Sequence, residues 1–157
     1  GAKMDSSIRY GRNWWVRERL MPKAITRVVL WAVVALFAYD AYGHIGSIAG
    51  MHGYSWTEAP AKWRLMDVFF LTLDIIAVAG LILRWRIGVV AAFVSATCQV
   101  LLFTVFRSWI VDVPVNFAEM SDRTAYLDLM VGLYLVAIGL MLVVFWTGGF
   151  RRRAHDA

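Results

Sequence analysis

Cysteine is almost missing from this chain: among 157 residues there is only Cys98. No intrachain disulfide can form, and a cysteine-rich metal site is excluded. Cys98 sits inside an apolar run and reads as a buried, inert thiol. Charge is scarce as well. Only 17% of residues are Asp, Glu, Lys or Arg, against about 25% in soluble domains. Apolar residues make up 61% against a usual figure of about 45–50%, and mean hydropathy is +0.62. A soluble domain this small has too little interior to hide that surface. The composition therefore excludes a soluble enzyme, a disulfide-stapled secreted domain and a disordered chain, and makes the lipid bilayer the expected solvent.

Several motifs are missing too. There is no HExxH metal motif, no TVGYG filter and no glycine-rich phosphate loop. Ser47 lies one turn from His44, but no glycine-flanked serine supports an intramembrane hydrolase. No two histidines sit at matching depth, which argues against a bis-histidine haem. Arg84 and Arg86 lie in a turn rather than at every third position of a helix, so they are not a voltage sensor. We expect no enzyme activity and no cofactor.

What is present is four long apolar stretches, each near the ~20 residues that a membrane helix needs. They cover residues 24–48, 65–83, 87–106 and 124–146. The expected fold is an all-α, four-transmembrane-helix bundle. The runs are continuous rather than alternating, which argues against a barrel. Only Arg84-Trp85-Arg86 separates the second and third runs, so those two must form an antiparallel hairpin. Gly1-Ala2-Lys3 reads as a tag remnant ahead of Met4 as the start, with no signal peptide, so the first helix is expected to be retained. Residues 4–23 form a basic, aromatic segment expected to lie in the headgroup layer as an interfacial helix, and residues 147–157 form a basic tail.

Net charge is +5 and the isoelectric point about 9.7. The chain ends and the 84–86 turn hold twelve of the sixteen Lys and Arg with three acidic residues, giving that side +9 and the other side −4. The positive-inside rule puts both termini in the cytoplasm, most simply at a bacterial inner membrane. Membrane orientation accounts for the basic charge, so no nucleic-acid partner is implied. Trp56 and Trp63 in one outer loop and Trp109 in the other mark an interface belt. The second loop, 107–123, is long enough for a short surface helix.

Gly88, Ala92 and Ala96 form a small-residue stripe suited to close helix packing, within the bundle or between protomers. Gly132 and Gly139 are candidates for the same role. Four spans leave little interior, so a homo-oligomer or a partner membrane subunit is expected.

Ionisable groups inside a span cost roughly 2.5–3.5 kcal/mol each at its centre, so they should face protein or water. Asp40, Asp67, Asp74 and Asp128 qualify. Asp74 lies about 13 Å from the outer surface and Gln99 about 18 Å from the inner one at 1.5 Å per residue, so the two could meet. Asp67 and Asp74, seven apart, share a helix face. Together with Gln99 these aspartates outline an outward-opening acidic funnel that narrows at Asp74. Its pathway would carry protons, cations or a small cationic solute. The plainer alternative pairs Asp67 and Asp128 with Arg64, Arg107 or Arg123. Asp74 would then be a neutral carboxyl hydrogen-bonded to Gln99 or a threonine. Asp40 and His44, four apart, form a second constellation that could hold a transition metal.

Ser55-Trp56-Thr57-Glu58, just before the second span, is similar to the Trp-x-Glu feature of the small membrane subunits of tripartite periplasmic-binding-protein-dependent transporters. Their doubled acidic pair is missing, since Ala59-Pro60 follows. The resemblance illustrates a second class, a non-catalytic accessory subunit of a larger transport or respiratory complex, without assigning the chain to it. The leading expectation is a small channel- or transporter-like protein. A metal-binding membrane protein centred on Asp40 and His44 stands third.

Overall fold

The computed structural model describes residues 23–51, 53–113 and 124–146. The N-terminal segment, His52, the 114–123 connection and the C-terminal tail lie outside these, and with them the expected interfacial helix. Four long helices are present: α1 (Lys23–Ile48), α2 (Ala61–Ile82), α3 (Arg86–Thr104) and α5 (Thr124–Trp146). A short α4 (Arg107–Val111) follows α3, and a 3-10 turn (Trp56–Glu58) precedes α2. All four long helices are long and apolar enough to cross a membrane.

The spans agree with the hydropathy runs except at α2, which begins at Ala61 rather than at 65. Hydropathy stops at Lys62 and Arg64, but backbone bonding does not. The Pro60 carbonyl already accepts from the amides of Trp63 and Arg64. α4 occupies the start of the loop in which a surface helix was expected.

Each helix has one buried stripe at helical spacing. On α2 it is Asp67, Phe70, Asp74, Ala77 and Leu81; on α3 it is Gly88, Ala92, Ser95, Ala96 and Gln99. On α1 it runs through Val33, Phe37, Asp40 and Ala41, and on α5 through Met130, Tyr134, Ala137 and Met141. The opposite faces carry exposed Leu, Ile, Val and Phe, such as Leu65, Val68 and Ile75 on α2, the pattern of helices solvated by lipid. α1 packs on α2, α2 on α3 and α3 on α5, which closes the ring against α1. The helices alternate in direction. One end of the bundle holds the 84–86 turn; the other, the loop end, holds residues 49–51, 53–60 and α4.

Two helix ends close by the same hydrogen-bond pattern with different residues. After α1, Met51 N–H bonds to Gly46 O and Gly50 N–H to Ser47 O, with Gly50 at φ 73°. After α2, Trp85 N–H bonds to Gly80 O and Arg84 N–H to Leu81 O. The left-handed position there is Arg84, at φ 55°, where glycine is the usual occupant.

The small-residue stripe of α3 is used inside this chain. A Cβ on Gly88 would lie 2.4 Å from the Gly80 carbonyl carbon, and one on Gly80 would lie 2.4 Å from Gly88 Cα. Ala92 and Ala96 are fully buried. At Gly132 and Gly139 nothing lies within 4 Å of an added Cβ, so no close helix approach within the chain depends on them.

Gly88→Ala should therefore lower stability by roughly 1–3 kcal/mol, read as a fall in the thermal midpoint in detergent, whereas Gly132→Ala should not lower it. Arg84→Gly should raise it by roughly 0.5–1 kcal/mol, because the left-handed strain is removed at some cost in chain entropy.

Candidate functional site

The buried stripes bring their polar side chains together in one column that runs inward from Asp67 to Asp74. α1 supplies Asp40 and His44, α2 supplies Asp67 and Asp74, α3 supplies Ser95 and Gln99, and α5 supplies Tyr134. Asp74, Ser95 and Tyr134 are completely buried.

Asp67 anchors the cluster toward the loop end. Its Oδ1 accepts from His44 Nδ1–H at 2.9 Å, and its Oδ2 accepts from Trp56 Nε1–H at 3.1 Å. Among the described residues neither arginine nor lysine forms an ion pair with it; of the arginines considered from sequence, Arg123 lies outside those residues. His44 also stacks on Phe70 with ring centroids 5.9 Å apart. With Nδ1 donating, the lone pair of the imidazole lies on Nε2, which faces Asp40 Oδ1 at 3.8 Å. That separation is too long for a hydrogen bond.

Gln99 and Asp74 do not pair directly. Gln99 Nε2–H donates to Asp40 Oδ2, and Ser95 Oγ–H donates to Asp74 Oδ1 at 2.8 Å. Gln99 lies 3.5 Å from Ser95 Oγ, so Asp40, Gln99, Ser95 and Asp74 form one chain across three helices. Three buried atoms nearby have no hydrogen-bond partner: His44 Nε2, Asp74 Oδ2 and Tyr134 OH. Among the described residues no Lys or Arg forms an ion pair with Asp40, Asp67 or Asp74.

A cavity of about 420 Å³ leads to this cluster from the loop end. Tyr54, Trp63 and Ile110 line its upper part, Asp67 and His44 its wall, and Asp40 with Gln99 its deepest polar part. α4 is held over one side by Lys62, whose ammonium donates to the carbonyls of Trp109 and Asp112, and by Trp63 Nε1–H, which donates to Ile110 O at 3.1 Å. Burial pushes the Tyr54 phenol up, so it remains a neutral hydroxyl at the rim.

Two parts of the expected funnel are placed differently. Asp74 does not line the cavity; it lies one layer beyond Asp40 and connects through Ser95. Asp128 is exposed, and it pairs with Arg107 Nη1 at 2.7 Å. It lies on the exposed side of α5, whereas Tyr126, Leu127 and Met130 line the cavity. Thr72 and Thr104 are also exposed and donate to carbonyls one turn back, Val68 O and Val100 O. Past Asp74 the bundle closes on Phe37, Ala77, Leu81, Ala92 and Tyr134, each at most 1% exposed.

Sequence reasoning missed Tyr134, which has no polar neighbour in sequence. It also missed Trp56 as a donor to Asp67. The spacing of Met130, Tyr134, Ala137 and Met141 held the signal for the first.

No protein-family model, no curated protein and no solved structure matches the chain.

The Asp67 bond fixes the imidazole tautomer. In ¹⁵N-labelled protein at neutral pH, His44 should carry its proton on Nδ1, and Asp67→Asn should shift the population toward the Nε2–H form.

Proposed function

We propose that the protein is a small membrane transport protein that takes a proton or another cation from the loop end into a blind acidic cavity. The observation that carries this reading is the gathering of three carboxylates and one histidine along the inner wall of that cavity and one layer beyond it, with no Lys or Arg ion pair among the described residues. Carboxylates this close in an apolar surrounding repel one another and attract positive charge. The site therefore recruits a cation or a proton, and the cavity offers the route.

The apolar closure beyond Asp74 supports a transporter that exposes its site to one side at a time, rather than an open channel. The asymmetry of basic residues supports a cytoplasmic location for both termini, so the loop end faces outward, with a bacterial inner membrane as the host. Because the α3 stripe is buried inside the chain, it is not spare surface for a partner subunit.

The test is flux in proteoliposomes under an imposed membrane potential, with pH- and cation-sensitive dyes inside. Asp74→Asn should fold normally and lose flux, while Asp128→Asn should retain it. Equal flux in Asp74→Asn and the unaltered chain would overturn the reading.

A further inference from the structure

The deep end of the cavity is more ordered than a simple pool of negative charge. One donor atom from each of Asp40, His44 and Asp74 lies within 4.8 Å of the other two. Each of these side chains is also held by a neighbour through its other polar atom. Asp67 accepts from His44 Nδ1–H, Gln99 donates to Asp40 Oδ2, and Ser95 donates to Asp74 Oδ1. The atoms left over are His44 Nε2 and Asp74 Oδ2, both buried and unpartnered, and Asp40 Oδ1, which faces His44 Nε2.

We infer that Asp40, His44 and Asp74 bind one divalent transition-metal ion of the Zn²⁺ class, with Asp67 as the positioning residue for His44. This rests on the cation reading above and names the cation.

Three features of the cluster support the assignment. A metal-bound imidazole characteristically donates its other N–H to a carboxylate, which fixes its tautomer and raises its basicity; Asp67 stands in that place. Ligands at 2.0–2.2 Å from one tetrahedral ion lie about 3.3–3.6 Å apart. The 3.8 Å between His44 Nε2 and Asp40 Oδ1 is close to that, and the set, within 4.8 Å throughout, draws together by rotation of the side chains as the ion binds. A dipositive ion also balances the charges of Asp40 and Asp74, leaving Asp67 as the carboxylate that serves His44 and Trp56.

The donor set selects among metals. Ca²⁺ favours six or more oxygens, and Mg²⁺ demands an octahedral shell and keeps its waters. A mixed set of one imidazole and two carboxylates suits Zn²⁺ better. Copper(I) favours thioether or thiolate ligands; Met66 and Met130 line the cavity, but the three donors that converge are one imidazole and two carboxylates. Three protein ligands leave a coordination position open toward the cavity, as expected of a site that must load and release.

The test uses the full chain in detergent, stripped with EDTA and titrated with ZnCl₂, with MgCl₂ as the control, by calorimetry and elemental analysis. The unaltered chain should take up one Zn²⁺ and no Mg²⁺. Asp74→Asn and His44→Gln should abolish uptake. Asp67→Asn should keep the stoichiometry and weaken affinity roughly 10–100-fold, and Asp128→Asn should bind as the unaltered chain does. Visible d–d absorption of Co²⁺ in the unaltered chain, displaced by Zn²⁺, reads imidazole–carboxylate ligation without any substitution. Absence of Zn²⁺ uptake, or equal uptake in Asp74→Asn and His44→Gln, overturns the inference. Asp74-dependent proton flux without metal binding would remove the metal and keep the transport reading. Metal binding without flux would keep the metal and remove transport.

Discussion

Carboxylates without basic partners, set among apolar helices, are the constraint on which this bundle depends. Removing such a group from water costs far more than one ordinary hydrogen bond returns. The fold answers with donors. Asp67 receives an imidazole and an indole N–H, Asp40 receives the Gln99 amide, and Asp74 receives the Ser95 hydroxyl. Each donor comes from a different element than its acceptor, so satisfying the acids also specifies how α1, α2 and α3 are joined. Register and chemistry are set by the same bonds.

That arrangement needs α2 and α3 to meet at one height, and the height is set elsewhere. The Gly80–Gly88 approach and the tight turn at Arg84 fix the hairpin. From there, helical repeat alone carries Ser95 opposite Asp74. An apolar contact at one end of the hairpin thus places a polar one near its middle. The same hairpin has no slack for sliding, because both backbones are already in contact.

Most of the architecture was legible in the sequence. Long apolar runs and the short basic turn gave the four helices and the hairpin, since lipid solvation leaves little other choice. Asp40, Asp67, Asp74 and Gln99 stood out because polar groups in such runs are costly. Their pairings were not legible. Depth estimates along each helix put Gln99 level with Asp74, but the rotation of α3 about its axis turns the Gln99 amide to Asp40. Asp128 looked equivalent to Asp67 in depth and differs only in which way its helix face points. Trp56 reaches Asp67 from a loop, where no periodicity exists to read. Arg84 in a left-handed conformation also escaped notice, because nothing in its residue type signals it.

The division of bonds among the helices has a mechanical consequence. α1, α2 and α3 are laced together by hydrogen bonds through Asp67, Asp40 and Asp74. α5 enters the same layer through Tyr134 alone, whose hydroxyl bonds to nothing. Its remaining inward contacts on that stripe, through Met130, Ala137 and Met141, are apolar and without direction. Sliding α5 undoes the exposed Arg107–Asp128 pair at its loop end, whereas moving α1 must undo two inner bonds, His44 to Asp67 and Gln99 to Asp40. The bundle therefore divides into a fixed triad and a single sliding staff. α5 is the helix whose displacement would uncover the far side of Asp74 at the least cost.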